Sequence, residues 1–431
     1  MKQYIHEATT IQIASAFPFV ASKPLATNKI FIGRDLVGGV FLHDPFELYK
    51  SGTITSPNMI VIGQIGRGKS SLIKTYLYRE AIFDRQIVVL DPKGEYGPLA
   101  RALGFEPIYL YPGGPYRLNP LDVADDVSDS GPSDSGPENS QKAGNGYREG
   151  VGPIRKKLEL LIAICISCMK RELYPIEYTA LEHALSTLGK RYTTILLTHI
   201  VQELLDPSDD GFKKIGITRE EIILGSRDVA LELRRLVYGE LAGMFDAPTS
   251  QSLKLSRNVF VLDLSALYNS PALGVMMACA TAFVQSFYTN RENGKTFLVV
   301  DEAWALLQNP GIARFLQASW KLARSRGMAN IAIFHRISDL DASGEYKSLQ
   351  NQIGNGIVAD SETVVCYAQP HQEIDRASDD LGITKEEASL LPNLRKGIAL
   401  WKVGSRTYLV EHKLSKQEKY IVDTDSALTA P

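Results

Sequence analysis

Residues 63–70 read Gly63-Gln64-Ile65-Gly66-Arg67-Gly68-Lys69-Ser70, the pattern G-x-x-x-x-G-K-[ST]. They stand between the apolar tetrad Met59–Ile62 and a helical stretch over Lys69–Phe83. Three glycines let successive backbone N–H groups turn inward as an anion nest at a helix N-terminus. That geometry requires a strand, a tight loop and a helix in immediate succession, so it commits this part of the chain to an α/β arrangement. Lys69 would then neutralise the β- and γ-phosphates of ATP, and the Ser70 hydroxyl would ligate Mg2+. Ser71 follows in the first helical turn. The competing reading is a glycine-rich turn without a ligand.

The surrounding pattern agrees. Gln86–Leu90, Val259–Leu262, Thr296–Val300 and Asn330–Phe334 read as short buried strands, with helices over Pro271–Tyr288 and Gly311–Arg326. Short apolar strands alternating with helices imply a mostly parallel sheet covered on both faces. Thr363–Tyr367, Ile398–Val403 and Tyr408–Glu411 return to β character, with short helices at Pro370–Leu381 and Thr384–Leu391. Ahead of Asn58, the stretches Ile11–Ala14, Lys29–Ile32 and Val40–Leu42 suggest a small β element. Between strands, Asp122–Gly152 is acidic, Ser/Gly/Pro-rich and poor in apolar residues, which predicts disorder. From Pro153 to about Phe245 the periodicity is helical. Tyr178, Leu181, Leu185 and Leu188 fall on one face, as do Val229, Leu233, Leu236 and Val237.

At the end of the strand Phe297–Val300 stand Asp301 and Glu302. Ligands bind at the carboxyl ends of strands in open α/β sheets. Asp301 would hold the Mg2+ shell, and Glu302 would orient and deprotonate an attacking water. The bland alternative is a helix N-cap. An acid placed to activate water favours hydrolysis over nucleotide kinase chemistry. Asp91-Pro92-Lys93-Gly94-Glu95-Tyr96 follows the second strand at the same edge. It is a turn in either case, and Lys93 and Glu95 could also face the nucleotide or a neighbouring subunit.

Charge and targeting narrow the partners. The chain has 431 residues, with 47 Lys plus Arg against 49 Asp plus Glu, a formal charge of −2. This argues against a surface built wholly for nucleic acid, while leaving room for a local basic channel. Four cysteines exclude a disulfide scaffold and fit a reducing cytosol. Cys165 and Cys168 make a C-x-x-C inside the apolar run Leu160–Met169, where core cysteines are expected rather than zinc or redox chemistry. That run and Gly274–Val284 both fall short of the roughly 18–20 residues that cross a bilayer. Trp304, Trp320 and Trp401 are expected in the core or at subunit contacts.

Asp91–Tyr96, Leu118-Asn119-Pro120-Leu121, Met244–Thr249 and Val300-Asp301-Glu302-Ala303-Trp304 together resemble the conjugal-transfer ATPases of type IV secretion systems (TraC-type). These belong to the wider HerA/FtsK group of RecA-like P-loop motors. The resemblance covers about Ile32 to Tyr420. It implies a Mg2+-dependent ATP-hydrolysing hexamer with an inserted all-α subdomain. Such a hexamer would be cytoplasmic and peripherally docked at the inner face of the membrane on secretion-channel components. DNA or a relaxase–DNA complex would be a further partner. It also implies roles for Arg324, as trans-acting charge stabilisation, and for His335, as a γ-phosphate sensor standing where the family has Gln. A cation is also favourable at the helix end that Arg324 occupies, and His335 could simply cap a strand. Two other functions stay open: a HerA/FtsK-like translocase that touches DNA itself, and a nucleotide-gated assembly module with negligible hydrolysis. The expected layout is a β element over 1–57, a RecA-like domain over 58–124 and 255–412, and a disordered acidic loop over 125–152. An all-α insert over 153–250 and a tail over 413–431 complete it.

Overall fold

The computed structural model describes residues 30–37, 39–122, 151–239, 241–254, 258–270, 272–288, 295–340 and 349–422. The strand expected at Ile11–Ala14, nearly all of the acidic loop, and the end of the chain after 422 lie outside the described residues.

The described strands are β1 (Ile30–Asp35), β2 (Gly39–His43), β3 (Met59–Ile62), β4 (Gln86–Asp91), β5 (Ile108–Tyr109) and β6 (Val259–Asp263). They continue with β7 (Thr296–Val300), β8 (Met328–Phe334), β9 (Thr363–Cys366), β10 (Ile398–Val403) and β11 (Arg406–His412). They form one sheet in the order β2-β1-β11-β10-β9-β3-β8-β7-β4-β6-β5. From β9 to β5 all pairings are parallel. The remaining strands extend it antiparallel, with β1 bonded to β11 and β2 to β1. The chain has the RecA-like P-loop fold, with a mostly parallel central sheet.

The central strands are apolar throughout because both faces are buried. Ile60, Ile62, Val88, Leu90, Leu298 and Val300 enter one core. Met59, Val61, Ile87, Val89, Phe297 and Val299 enter the other, as the two-residue side-chain period of a strand requires. The first core is continuous with the helices Val151–Met169, Pro175–Arg191, Leu197–Leu205 and Arg219–Tyr238, which follow β5 in the chain and precede β6. Leu181, Leu185, Leu188, Val229, Leu233, Leu236 and Val237 are buried there as the periodicity predicts. Tyr178 is instead exposed.

The opposite core lies under the helices Pro45–Lys50, Lys69–Glu80, Gly97–Ala102 and Glu418–Val422. Buried Arg85 ties two of these together, pairing with Asp44 at 2.6 Å and with Glu80. The helix Pro45–Lys50 and strand β5 are not visible in the sequence pattern, being short. The expected helix over Gly311–Arg326 runs from Pro310 to Leu322 and tightens into a 3-10 turn at Arg324–Arg326, ended by Gly327 at φ +64°.

Candidate functional site

β3 runs into the glycine loop, which gives way to the helix Lys69–Glu80. The loop is bracketed by neighbouring strands: the Gly63 amide donates to Phe334 O at 3.3 Å and the Gln64 amide to Ala368 O at 3.1 Å. A Cβ on Gly63 would overlap the Cβ of buried Tyr367. Gly66 and Gly68 take φ values of +78° and +110°, which L side chains rarely adopt. The helix begins at Gly68 without a side-chain cap. Its first-turn amides are therefore available to an anion. Arg67 donates to Gln64 Oε1 at 3.0 Å and its carbonyl accepts from Gly397 at 3.0 Å, fixing the loop's outer side, while Ile65 stays exposed.

Lys69 is buried. Its ammonium donates to Gly63 O, to Gln64 O at 3.1 Å, and to Nδ1 of His335 at 3.2 Å. Burial brings its pKa down to about 8 against the pull of the Asp301 and Glu302 carboxylates. A lysine ammonium offers only donors, so Nδ1 of His335 must accept and the ring proton sits on Nε2. That proton is donated to Glu302, whose two carboxylate oxygens lie 2.8 and 2.9 Å away. His335 thus links the loop lysine to the acid across the sheet's carboxyl edge. Its backbone is held by Asp339, which accepts from the His335 amide at 2.9 Å.

Asp301 and Glu302 leave the end of β7 buried. Asp301 accepts from the Glu302 amide at 2.9 Å. Burial raises its pKa to about 6, with the neighbouring Glu302 charge adding to the rise. Glu302 has φ +53°, uncommon for a residue with a side chain. Its carboxylate is also bonded by Lys93 and by the indole N–H of Trp304. Burial would push it up, but the hydrogen bonds from His335, Lys93 and Trp304 outweigh that and hold it at about 2. Lys93 comes from the turn after β4. Asp91 anchors that turn by accepting from the Glu95 and Tyr96 amides at 3.1 and 2.8 Å.

The donor set fits a nucleotide with Mg2+. Ser70 and Asp301 supply hard oxygens, which suit Mg2+ when phosphate oxygens and water complete its shell. A glycine loop with open space beside Gly66, an uncapped helix start and two lysines suit phosphates. Among the described residues, no group of three or more His, Cys, Asp or Glu is placed to hold a metal without such a ligand. Cys165 is buried and Cys168 partly so, with burial raising the Cys168 thiol to about 12, so the C-x-x-C is part of the packing.

The structure brings Lys69, Ser70, Asp301, Glu302 and His335 to one edge. It does not bring Arg324 there. Arg324 is exposed just before β8, at the strand's amino end, and seven residues of strand separate it from His335 by roughly 20 Å. Sequence reasoning missed Trp304 as a partner of Glu302. Lys93, in a turn that could also face the nucleotide, does reach the site, and the signal for it is the position of that turn after a strand at the same edge.

Strand, glycine nest, helix and facing acids define a P-loop NTPase fold of the RecA-like type. No family model matches the chain, and no curated protein matches its sequence. Among solved structures, VirB4 of Thermoanaerobacter pseudethanolicus is similar at TM-score 0.71 and 21% identity, over 92% of this chain and 100% of that one. The bacterial conjugative coupling protein TrwB, in an unbound form, is similar at TM-score 0.58 and 13% identity, over 83% and 85% of the two chains. TrwB in complex with ADP and Mg2+ is similar at TM-score 0.56 and 12% identity, over 90% and 91%. At these identities the likeness establishes the fold, and it is the fold implied by the motif resemblance.

Proposed function

We propose that this chain is a Mg2+-dependent ATPase of the conjugal-transfer and type IV secretion group, working as a motor for DNA transfer or protein secretion. The observation that carries the reading is the convergence of Lys69, His335 and Glu302 within hydrogen-bond distance at the carboxyl edge of the sheet. The loop amides and Lys69 would bind the phosphates. Ser70 and Asp301 would hold Mg2+, which would supply charge neutralisation for the phosphate oxygens. Glu302 would take a proton from water as the water oxygen bonds to the γ-phosphorus and the bond to the ADP oxygen breaks. His335, bonded to both Lys69 and Glu302, is suited to sense the γ-phosphate.

Arg324 cannot serve its own subunit's site from the far edge of the sheet. A role for it therefore requires a neighbour, as in a homo-hexamer. The assembly would sit at the cytoplasmic face of the membrane on secretion-channel components, with DNA or a relaxase–DNA complex as cargo. Among the described residues, no helix is long and apolar enough to cross a membrane.

The test is a pair of variants. Lys69→Ala should abolish nucleotide binding, whereas Glu302→Gln should bind ATP and lose turnover, measured by calorimetry and phosphate release. Tight ATP binding by the first, or normal turnover by the second, would overturn the assignment. Repeating the assay with DNA separates a motor that touches DNA from one that does not.

A further inference from the structure

Glu302 in this structure is short of free acceptor capacity. One oxygen accepts from Lys93, the other from Trp304, and His335 Nε2 lies within 2.9 Å of both. A carboxylate held by three donors is a poor base, because each donor stabilises the charged form and occupies a lone pair that a water proton needs. Three donors fill most of the roughly four lone-pair sites of a carboxylate, and the loss of one opens a second site to a water proton. Trp304 is fixed by the short helix that it starts, and His335 is fixed by Lys69 on its other nitrogen. Lys93 is different. Its side chain is 27% exposed, against 23% for His335, on a flexible four-carbon stem above an anchored turn. Its ammonium stands 3.4 Å from Nε2 of His335, and Lys69 stands 3.2 Å from Nδ1, so the two cations flank one imidazole.

The geometry points to Lys93 as a second phosphate-binding lysine that leaves Glu302 for the γ-phosphate of a bound nucleoside triphosphate, freeing the carboxylate for water. The inference rests on the ATPase reading above and adds a residue to it. The exchange keeps the ammonium paired with an anion throughout, so no uncompensated charge is created. It also couples the two events that must coincide: a triphosphate, and no diphosphate, supplies the anion that releases the base. A diphosphate leaves Lys93 on Glu302.

The experiment measures the affinity of Mg-ADP and of a non-hydrolysable Mg-ATP analogue for the full chain, with KM and kcat, in wild type, Lys93→Ala and Lys93→Arg. Lys93→Ala should weaken the analogue by about tenfold or more, the size of one charge-assisted hydrogen bond, with ADP affinity unchanged. Its kcat should fall, and Lys93→Arg should recover most of the preference for the triphosphate. Unchanged discrimination between the two nucleotides in Lys93→Ala would overturn the inference. So would faster turnover with discrimination intact, which would make Lys93 a restraint on Glu302 and nothing more. A wild-type chain that binds neither nucleotide would instead overturn the parent ATPase reading, and the inference with it.

Discussion

Glu302→Gln tests the physics of the site independently of turnover. The carboxylate is held near 2 against an ordinary 4.5, because hydrogen bonds from His335, Lys93 and Trp304 exceed the penalty of burial. At about 1.4 kcal/mol for each pH unit between folded and unfolded ionisation, the charged form contributes about 3 kcal/mol to folding at neutral pH. Glutamine carries no charge and turns one acceptor into a donor facing Lys93 or Trp304, so it forfeits that contribution. Because the folded value lies below the ordinary one, the stabilisation is complete above about pH 4.5 and fades as the pH falls toward 2. The gap between wild type and variant should follow the same course. Urea denaturation monitored by circular dichroism reads it directly, and a loss of about 3 kcal/mol moves the midpoint by about 1 M or more. A variant as stable as wild type at pH 7, or a gap unchanged from pH 7 to pH 3, would refute the claim that the three donors hold a charged Glu302.

Gly63→Ala places a methyl group against the Cβ of buried Tyr367, and the nearest atoms belong to strand-edge backbone and Cβ that cannot rotate away. It should cost about 1–3 kcal/mol of stability and weaken nucleotide binding by displacing the loop, both measurable by denaturation and calorimetry. Arg79→Ala removes a bidentate pair to Glu418, with contacts of 2.6 and 2.7 Å, and a hydrogen bond to Lys413 O at 2.7 Å. With Glu418 left buried without its cation, held by the Ser415 amide at 2.7 Å, the loss should be about 3 kcal/mol, and proteolysis should release the Glu418–Val422 helix earlier than in wild type. Arg324→Ala should keep nucleotide affinity and lose turnover, and mixing it with Glu302→Gln should restore part of the activity at mixed interfaces. Concentration-independent turnover unaffected by Arg324→Ala would end the case for a trans-acting arginine.

The sequence determined the elements whose signal is local. The glycine loop with Lys69 and Ser70, the apolar strands ending in Asp91 and Asp301-Glu302, and the mostly parallel sheet all follow from residue order and period, because a nest and a doubly buried strand each demand particular residues in a row. The inward face of the inserted helices was legible for the same reason at Leu181, Leu185 and Leu188, and failed at Tyr178, which is exposed. The tertiary structure alone decided what depends on strands far apart in the chain lying side by side. β3, β8, β7 and β4 are neighbours in the sheet, though they begin at residues 59, 328, 296 and 86. Only that order sets Lys69, His335, Glu302 and Lys93 in one chain of hydrogen bonds, whereas Trp304 reaches Glu302 from two residues away and Arg324 is parted from His335 by the length of β8 itself. Pairing across hundreds of residues is settled by the packing of the whole sheet, and no window of sequence contains it.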